Sequence, residues 1–192
     1  MSAKTKYIAV TAIGTALFVV LSLCLQVPVF ENYYLCLGYA VMAVFCYCFG
    51  TLSGTVVGFF GVILYCLLIN GLRGMPGWAL GNIVIAVALG TVFRLTDTCR
   101  KRWLVWLLYS LTVITSVAFG ILVVKSLTEC LLYSQPFLLR VGKNVYAFVA
   151  DVVMLLISLP LCVGLYGQAK RILPSVVRNV PSAAYQKTIT ND

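Results

Sequence analysis

Six stretches of predominantly apolar residues, at 7–27, 34–50, 54–70, 78–94, 103–124 and 145–168, run along the chain with short polar segments between them. Each comes close to the roughly 17–25 residues that an α-helix needs to cross a hydrocarbon core. Pro28, the 71–77 stretch with Pro76, and Pro136 fall between them, where chain breakers belong. The pattern predicts six membrane-spanning helices. The first stretch follows a short basic start, but it is longer than the core of a signal peptide and shows no small-x-small cleavage site. It is therefore read as a retained span.

Composition agrees. Of 192 residues 62% are hydrophobic and 10% charged, with a mean hydropathy of +1.03. So little charge cannot cover a water-facing surface, which excludes a soluble globular domain, and such hydrophobicity excludes disorder. A net charge of +9 would point to nucleic acid in a soluble protein, but here the basic residues sit in short runs between apolar stretches. Six spans place both termini on one side, together with Lys4, Lys6, Arg94, Arg100, Lys101, Arg102, Lys170, Arg171, Arg178 and Lys187, ten of the fourteen basic residues. Arg73, Lys125, Arg140 and Lys143 fall on the other. The positive-inside rule then puts both termini in the cytoplasm. The expected fold is an all-α membrane protein of six transmembrane helices in a bacterial plasma membrane. Residues 1–192 form one domain, of which 169–192 make a basic cytoplasmic tail.

Reactive chemistry is sparse. The eight cysteines, at 24, 36, 46, 48, 66, 99, 130 and 162, form no CxxC pair, and there is no histidine. Zinc and haem sites need ligands at characteristic spacing, so the thiols read as small apolar packing residues and neither metal nor cofactor is expected. No Ser–His or Cys–His pair is available for nucleophilic catalysis. Asp97, Glu129 and Asp151 lie in different segments. A phosphate-cradling GxxxxGK[ST] loop is missing; Gly142, Lys143 and Asn144 come nearest and lack the upstream glycine and the hydroxyl residue. The chain reads as a non-enzyme, and uphill transport would draw energy from an ion gradient or from other subunits.

Strongly hydrogen-bonding side chains are costly in a bilayer unless they face protein, water or a ligand. Gln26 closes span one, Glu31, Asn32, Tyr33 and Tyr34 lead into span two, Asn70 ends span three, Arg73 follows in the loop, and Trp78 and Asn82 open span four. Lys125 ends span five, and Asn144, Tyr146 and Asp151 open span six. All fall in the outer half of the oriented bundle. The inner half offers hydroxyls (Thr11, Thr15, Ser110) and small residues. This asymmetry predicts an outward-opening polar pocket sealed below by apolar packing. Its substrate contacts would come from Gln26, Asn32, Tyr34, Asn70, Arg73, Trp78, Asn82, Lys125, Tyr146 and Asp151. The competing explanation is that aromatics mark the membrane interface and polar residues favour helix ends. Asp151, about two turns inside its span, fits that explanation least, although partnership with Lys125 or Lys143 would also account for it.

Ala12 and Ala16, in the segment AIGTA, share a helical face with Ala9 nearby, and Gly50, Gly54 and Gly58 repeat the four-residue spacing, with Gly61 adjoining. Small residues so spaced let another helix approach closely, within the molecule or from a partner. Trp103 and Trp106, at the cytoplasmic end of span five, read as interface anchors.

With TAIGTALFVVL in span one, YAVMAVFCYCFGTLSGTVVGFFGVIL across spans two and three, and GMPGWALGNIV at the start of span four, the chain resembles the substrate-binding (S) components of energy-coupling factor (ECF) transporters. The riboflavin-type subgroup is closest. The likeness covers the first half of the chain; the second half matches in helix count and topology. It implies a six-helix vitamin-capture subunit in which Ala12 and Ala16 form an AxxxA motif that docks on a shared transmembrane coupling subunit. Two cytoplasmic ATPase subunits would complete the complex and use the ATP. It also implies that residues 28–33 and 71–77 cover the pocket, and that the subunit topples in the membrane on release. Three departures leave the vitamin open among riboflavin, cobalamin, pyridoxine and hydroxymethylpyrimidine: Thr51 stands where the subgroup tends to have proline, no histidine lies near Val62, and Trp78 stands alone rather than in a pair. The rival readings are an autonomous secondary transporter, which would want an inverted repeat, and a structural membrane protein whose outer polar residues are interfacial.

Overall fold

Within hydrocarbon every backbone polar group must be satisfied inside the protein, so an apolar chain continues as helix until a breaker stops it. The computed structural model describes residues 2–24, 27–30, 33–69, 71–72, 74–97, 99 and 101–179. The elements in order are α1 (Ala3–Cys24), β1 (Val27–Phe30), β2 (Tyr33–Leu35), α2 (Gly38–Phe49), α3 (Thr51–Leu68), α4 (Met75–Thr96), α5 (Arg102–Val117), a π-helical segment (Ala118–Lys125), α6 (Ser126–Tyr133) and α7 (Phe137–Ile172). Five helices are long and apolar enough to cross a membrane: α1, α3, α4, the unbroken run Arg102–Tyr133, and α7. The bundle has a hairpin end, with β1–β2 and α6, and a terminal end, where α1 begins and α7 finishes.

The segment 34–50 differs from its expected single span. Its first residues pair as a strand, and the helix that remains has twelve residues. Val27, Phe30, Tyr33 and Tyr34 are residue types that favour extended backbone. They pair antiparallel, Val27 opposite Leu35 and Pro28 opposite Tyr34, with a bulge between Pro28 and Phe30. The fold is thus all-helical apart from one short ribbon, β1 and β2. α2 is short because it is internal: ten of its twelve residues are buried, against α1, α3, α4 and α7. It turns into α3 at Gly50, whose φ of 97° suits a residue without a Cβ.

The fifth and sixth spans are also longer than their apolar cores suggested. Helix runs on through Lys125 and Glu129 to Tyr133, and resumes at Phe137 after a connection containing left-handed Ser134 and Pro136. Polar residues do not stop these helices, and α7 even carries Pro160 within it; the break falls at left-handed Ser134, ahead of Pro136. The π-helical segment packs on α4 where two glycines meet, and a Cβ on Gly81 would lie 2.7 Å from the Gly120 carbonyl oxygen. Both sides of that contact are backbone, so neither gives way easily. Gly81→Ala is expected to destabilise the protein by about 1–3 kcal/mol, whereas Gly142→Ala on α7, which meets nothing within 4 Å, should be neutral or stabilising. Melting temperatures in detergent would check both.

The terminal end carries more polarity than the sequence suggested. Past α7 the chain turns back, and Arg178 closes a clasp. Its guanidinium meets Asp97 at 2.9 and 3.3 Å, its Nε–H donates to the Tyr47 carbonyl at 3.2 Å, and its backbone N–H donates to the Cys48 carbonyl at 2.7 Å. The Tyr166 hydroxyl donates to the Arg178 carbonyl at 2.9 Å. Burial lifts the Asp97 carboxyl above its ordinary value, and the neighbouring guanidinium pulls it back. The start of the expected free tail is therefore tied down; Lys187 lies outside the described residues.

Candidate functional site

Three helices bring hydrogen-bonding side chains together at the hairpin end. α2 supplies Tyr39 in its first turn, α4 supplies Trp78 and Asn82 one turn apart on one face, and α7 supplies Asp151. Trp78 Nε1–H donates to the Tyr39 hydroxyl at 2.8 Å, Tyr39 donates to Asn82 Oδ1 at 3.0 Å, and Asn82 Nδ2 donates to the Gly58 carbonyl at 3.1 Å. This chain fixes the indole and the phenol. Buried Asp151 lies against the Tyr39 hydroxyl. The single proton of that hydroxyl serves both Asn82 Oδ1 and Asp151, and a carboxylate with two oxygens keeps further acceptor capacity.

Lys125 closes the π-helical segment with its ammonium 5.9 Å from the centre of the Trp78 ring. Among the described residues it makes no ion pair within 4.0 Å. It feels the negative charge of Glu129, one turn on, and then that of Asp151. Glu129 itself is buried and held elsewhere: Arg140 Nη1 stands 3.6 Å from it, and Asn144 Nδ2 donates to it at 3.5 Å and to Ser126 Oγ at 2.9 Å. The result is a lysine and a buried carboxylate beside two fixed aromatic groups, with no ion pair between them within 4.0 Å. Such an arrangement suits a flat polar solute that offers both a donor and an acceptor.

Of the residues expected to bind substrate, Trp78, Asn82, Lys125 and Asp151 come together. Asn82 is fully buried, with both ends of its amide committed to protein partners, so it orients Tyr39 rather than facing open space. Tyr146 is 41% exposed. Two residues from buried Asn144 and five from buried Asp151, it falls on the other side of α7, away from the cluster. Tyr34 lies in β2. Gln26, Asn32, Asn70 and Arg73 lie outside the described residues. Lys143 is exposed, so the cation that acts on Asp151 is Lys125. Tyr39 and Glu129 were missed. The first has the signal of a hydroxyl-bearing aromatic within a span, the second its i, i+4 spacing from Lys125.

A second surface lies between α1 and α3 toward the terminal end. Ala12 and Ala16, with Thr11, Ser53, Val56 and Phe60 among its other walls, line a cavity of about 550 Å³. Ala9, Ala12 and Ala16 are exposed, while Thr11, Gly14, Thr15, Phe18 and Ser22 form the buried face of the same helix. Thr11 and Ser53 share a hydrogen bond of 2.9 Å that ties the two helices behind this hollow.

A family profile described as "ECF-type riboflavin transporter, S component" matches residues 2–166. The chain belongs to that family. Similar proteins include a UPF0397 protein of Streptococcus thermophilus, 24% identical over 170 residues that cover 85% of this chain and 91% of the relative. UPF0397 proteins of Lactococcus lactis are more alike over a shorter stretch: one from subsp. cremoris is 36% identical over 90 residues, covering 45% of this chain and 48% of its own. The YdcD protein of subsp. lactis is 36% identical over 89 residues, covering 45% and 47%. No solved structure matches the chain. In this family member the first-half resemblance thus extends through α7 as far as Tyr166, and its apolar helices are those of a multi-pass membrane protein.

Proposed function

We propose that this chain is the substrate-binding subunit of an ECF-type importer for a water-soluble vitamin or vitamin precursor, with riboflavin, cobalamin, pyridoxine and hydroxymethylpyrimidine as candidates. The hairpin end faces outward and both termini lie in the cytoplasm. Solute is captured at Tyr39, Trp78, Lys125 and Asp151. The Ala9, Ala12 and Ala16 face docks a transmembrane coupling subunit, and two ATPase subunits hydrolyse the ATP, so no chemical step and no cofactor falls to this chain. The carrying observation is the cluster itself: buried Asp151 beside Tyr39, and Lys125 5.9 Å from the Trp78 ring, within a membrane bundle and with no ion pair between them within 4.0 Å. Charged groups within membranes mark functional sites when they face protein interior or water.

The test is a thermal-shift screen of the purified protein against the water-soluble vitamins. At a hundredfold excess over Kd a true ligand stabilises the folded state by about 2.7 kcal/mol, which for a chain of this size raises the melting temperature by about 5 °C or more. Titration calorimetry on the hit would give the affinity. A panel in which no vitamin or precursor shifts the transition overturns the reading.

A further inference from the structure

The same three helices that build the hairpin-end site are gripped together at the opposite end. α2 carries Tyr39 at its start and offers the Tyr47 and Cys48 carbonyls at its finish, where helical acceptors have no partner of their own. Arg178 takes both, one through Nε–H and one through its backbone N–H. α4 carries Trp78 and Asn82 at its start and is followed by Asp97, a carboxylate at the negative end of a helix, where it is unfavourable without a cation. Arg178 supplies that cation in a two-pronged contact. α7 carries Asp151 in its middle and Tyr166 near its finish, whose hydroxyl holds the Arg178 carbonyl. Beneath the clasp, Tyr47 meets Phe93 and Tyr166 edge-on, with ring centres at 4.9 and 5.7 Å. One arginine thus links the ends of α2, α4 and α7.

We propose that Arg178 and Asp97 are positioning residues for the ligand-facing groups at the hairpin end. α2 is short, buried and without an internal glycine or proline, so it moves as a rod. An axial slip of 1 Å at the clasp carries Tyr39 by about the same amount, and hydrogen bonds of 2.8 and 3.0 Å to Trp78 and Asn82 do not survive that change unaltered. Holding the clasp closed keeps Tyr39 in register with Trp78, Asn82 and Asp151; opening it disperses them. A partner that engages the terminal end by taking hold of Arg178 or Asp97 would therefore loosen the ligand without touching it. The coupling is a property of the fold and holds whatever the solute is.

Amide hydrogen exchange of the detergent-purified full chain tests this without any ligand. In Arg178→Ala, exchange is expected to quicken about tenfold not only beside the clasp but also at residues 38–42 and 78–82, while α5 keeps its wild-type rates. Arg178→Lys, which retains the charge but not the fork, should fall between. An increase confined to residues 46–50, 93–97 and 166–179 overturns the proposal, because the clasp would then be a local brace. A uniform rise that includes α5 overturns it as well, since that is general destabilisation. Should Arg178→Ala not fold, Tyr166→Phe removes a single hydroxyl, and the same two distant segments must still respond, by a smaller factor.

Discussion

Replacing Ala12 and Ala16 together with tryptophan is expected to reduce uptake by the assembled transporter to background, while the purified subunit still binds its vitamin with an affinity within about twofold of the wild type. The two alanines are exposed, on the face of α1 opposite its buried residues, so the fold should tolerate the change. They line the hollow of about 550 Å³ between α1 and α3, and two indoles would fill the entrance that a partner helix needs. Helix association within lipid has no hydrophobic drive and depends on close backbone approach, which small side chains permit. Radiolabelled uptake in cells and calorimetry on the isolated subunit separate the two effects. Retained uptake would sink the docking assignment, and lost binding by the isolated subunit would sink the division of labour between the two surfaces.

The second large effect is expected at Asp151. Asp151→Asn keeps the shape and one acceptor but removes the charge, and a hydrogen bond to a charged group contributes about 1.5–3 kcal/mol. Binding of the vitamin identified by the thermal screen should weaken about 10- to 100-fold, with little change in melting temperature, because among the described residues Asp151 has no ion pair within 4.0 Å and asparagine can still accept from Tyr39. Lys125→Met is expected to act in the same direction. In the double variant the losses should fall short of additive if the two groups hold one solute between them. An Asp151→Asn protein that binds normally would reduce the carboxylate to a counter-charge for Lys125.

Much of this was legible in the sequence, and the reasons are local. The five long helices follow from apolar length alone, and Pro136 marked a true break, whereas Pro76 falls in the first turn of α4 rather than between helices. That Trp78, Asn82, Lys125 and Asp151 gather at one end of the bundle was legible because each is a polar group in or at the edge of an apolar run. What escaped was set by tertiary context. The ribbon at Val27–Leu35 and the brevity of α2 depend on pairing and on enclosure by four other helices, neither of which leaves a periodicity in seventeen apolar residues. The continuation through Glu129 was hidden because hydropathy falls there while helix does not. Arg178 looked like one more basic residue in a tail; only its placement against Tyr47, Cys48 and Asp97 shows otherwise. The π-helical turn that carries Lys125 has no residue signature at all.

Tyr39 is fully buried and level with Trp78, in the first turn of α4, so the site lies inside the protein near one end of the long helices. A guest that reaches it has left the dielectric of bulk water, where attraction between charges strengthens but shedding hydration costs more. One ammonium beside one carboxylate leaves no surplus positive charge to offset that cost for a phosphate ester. The recess should admit the free nutrient and turn away its phosphorylated forms, sorting by charge before it sorts by shape.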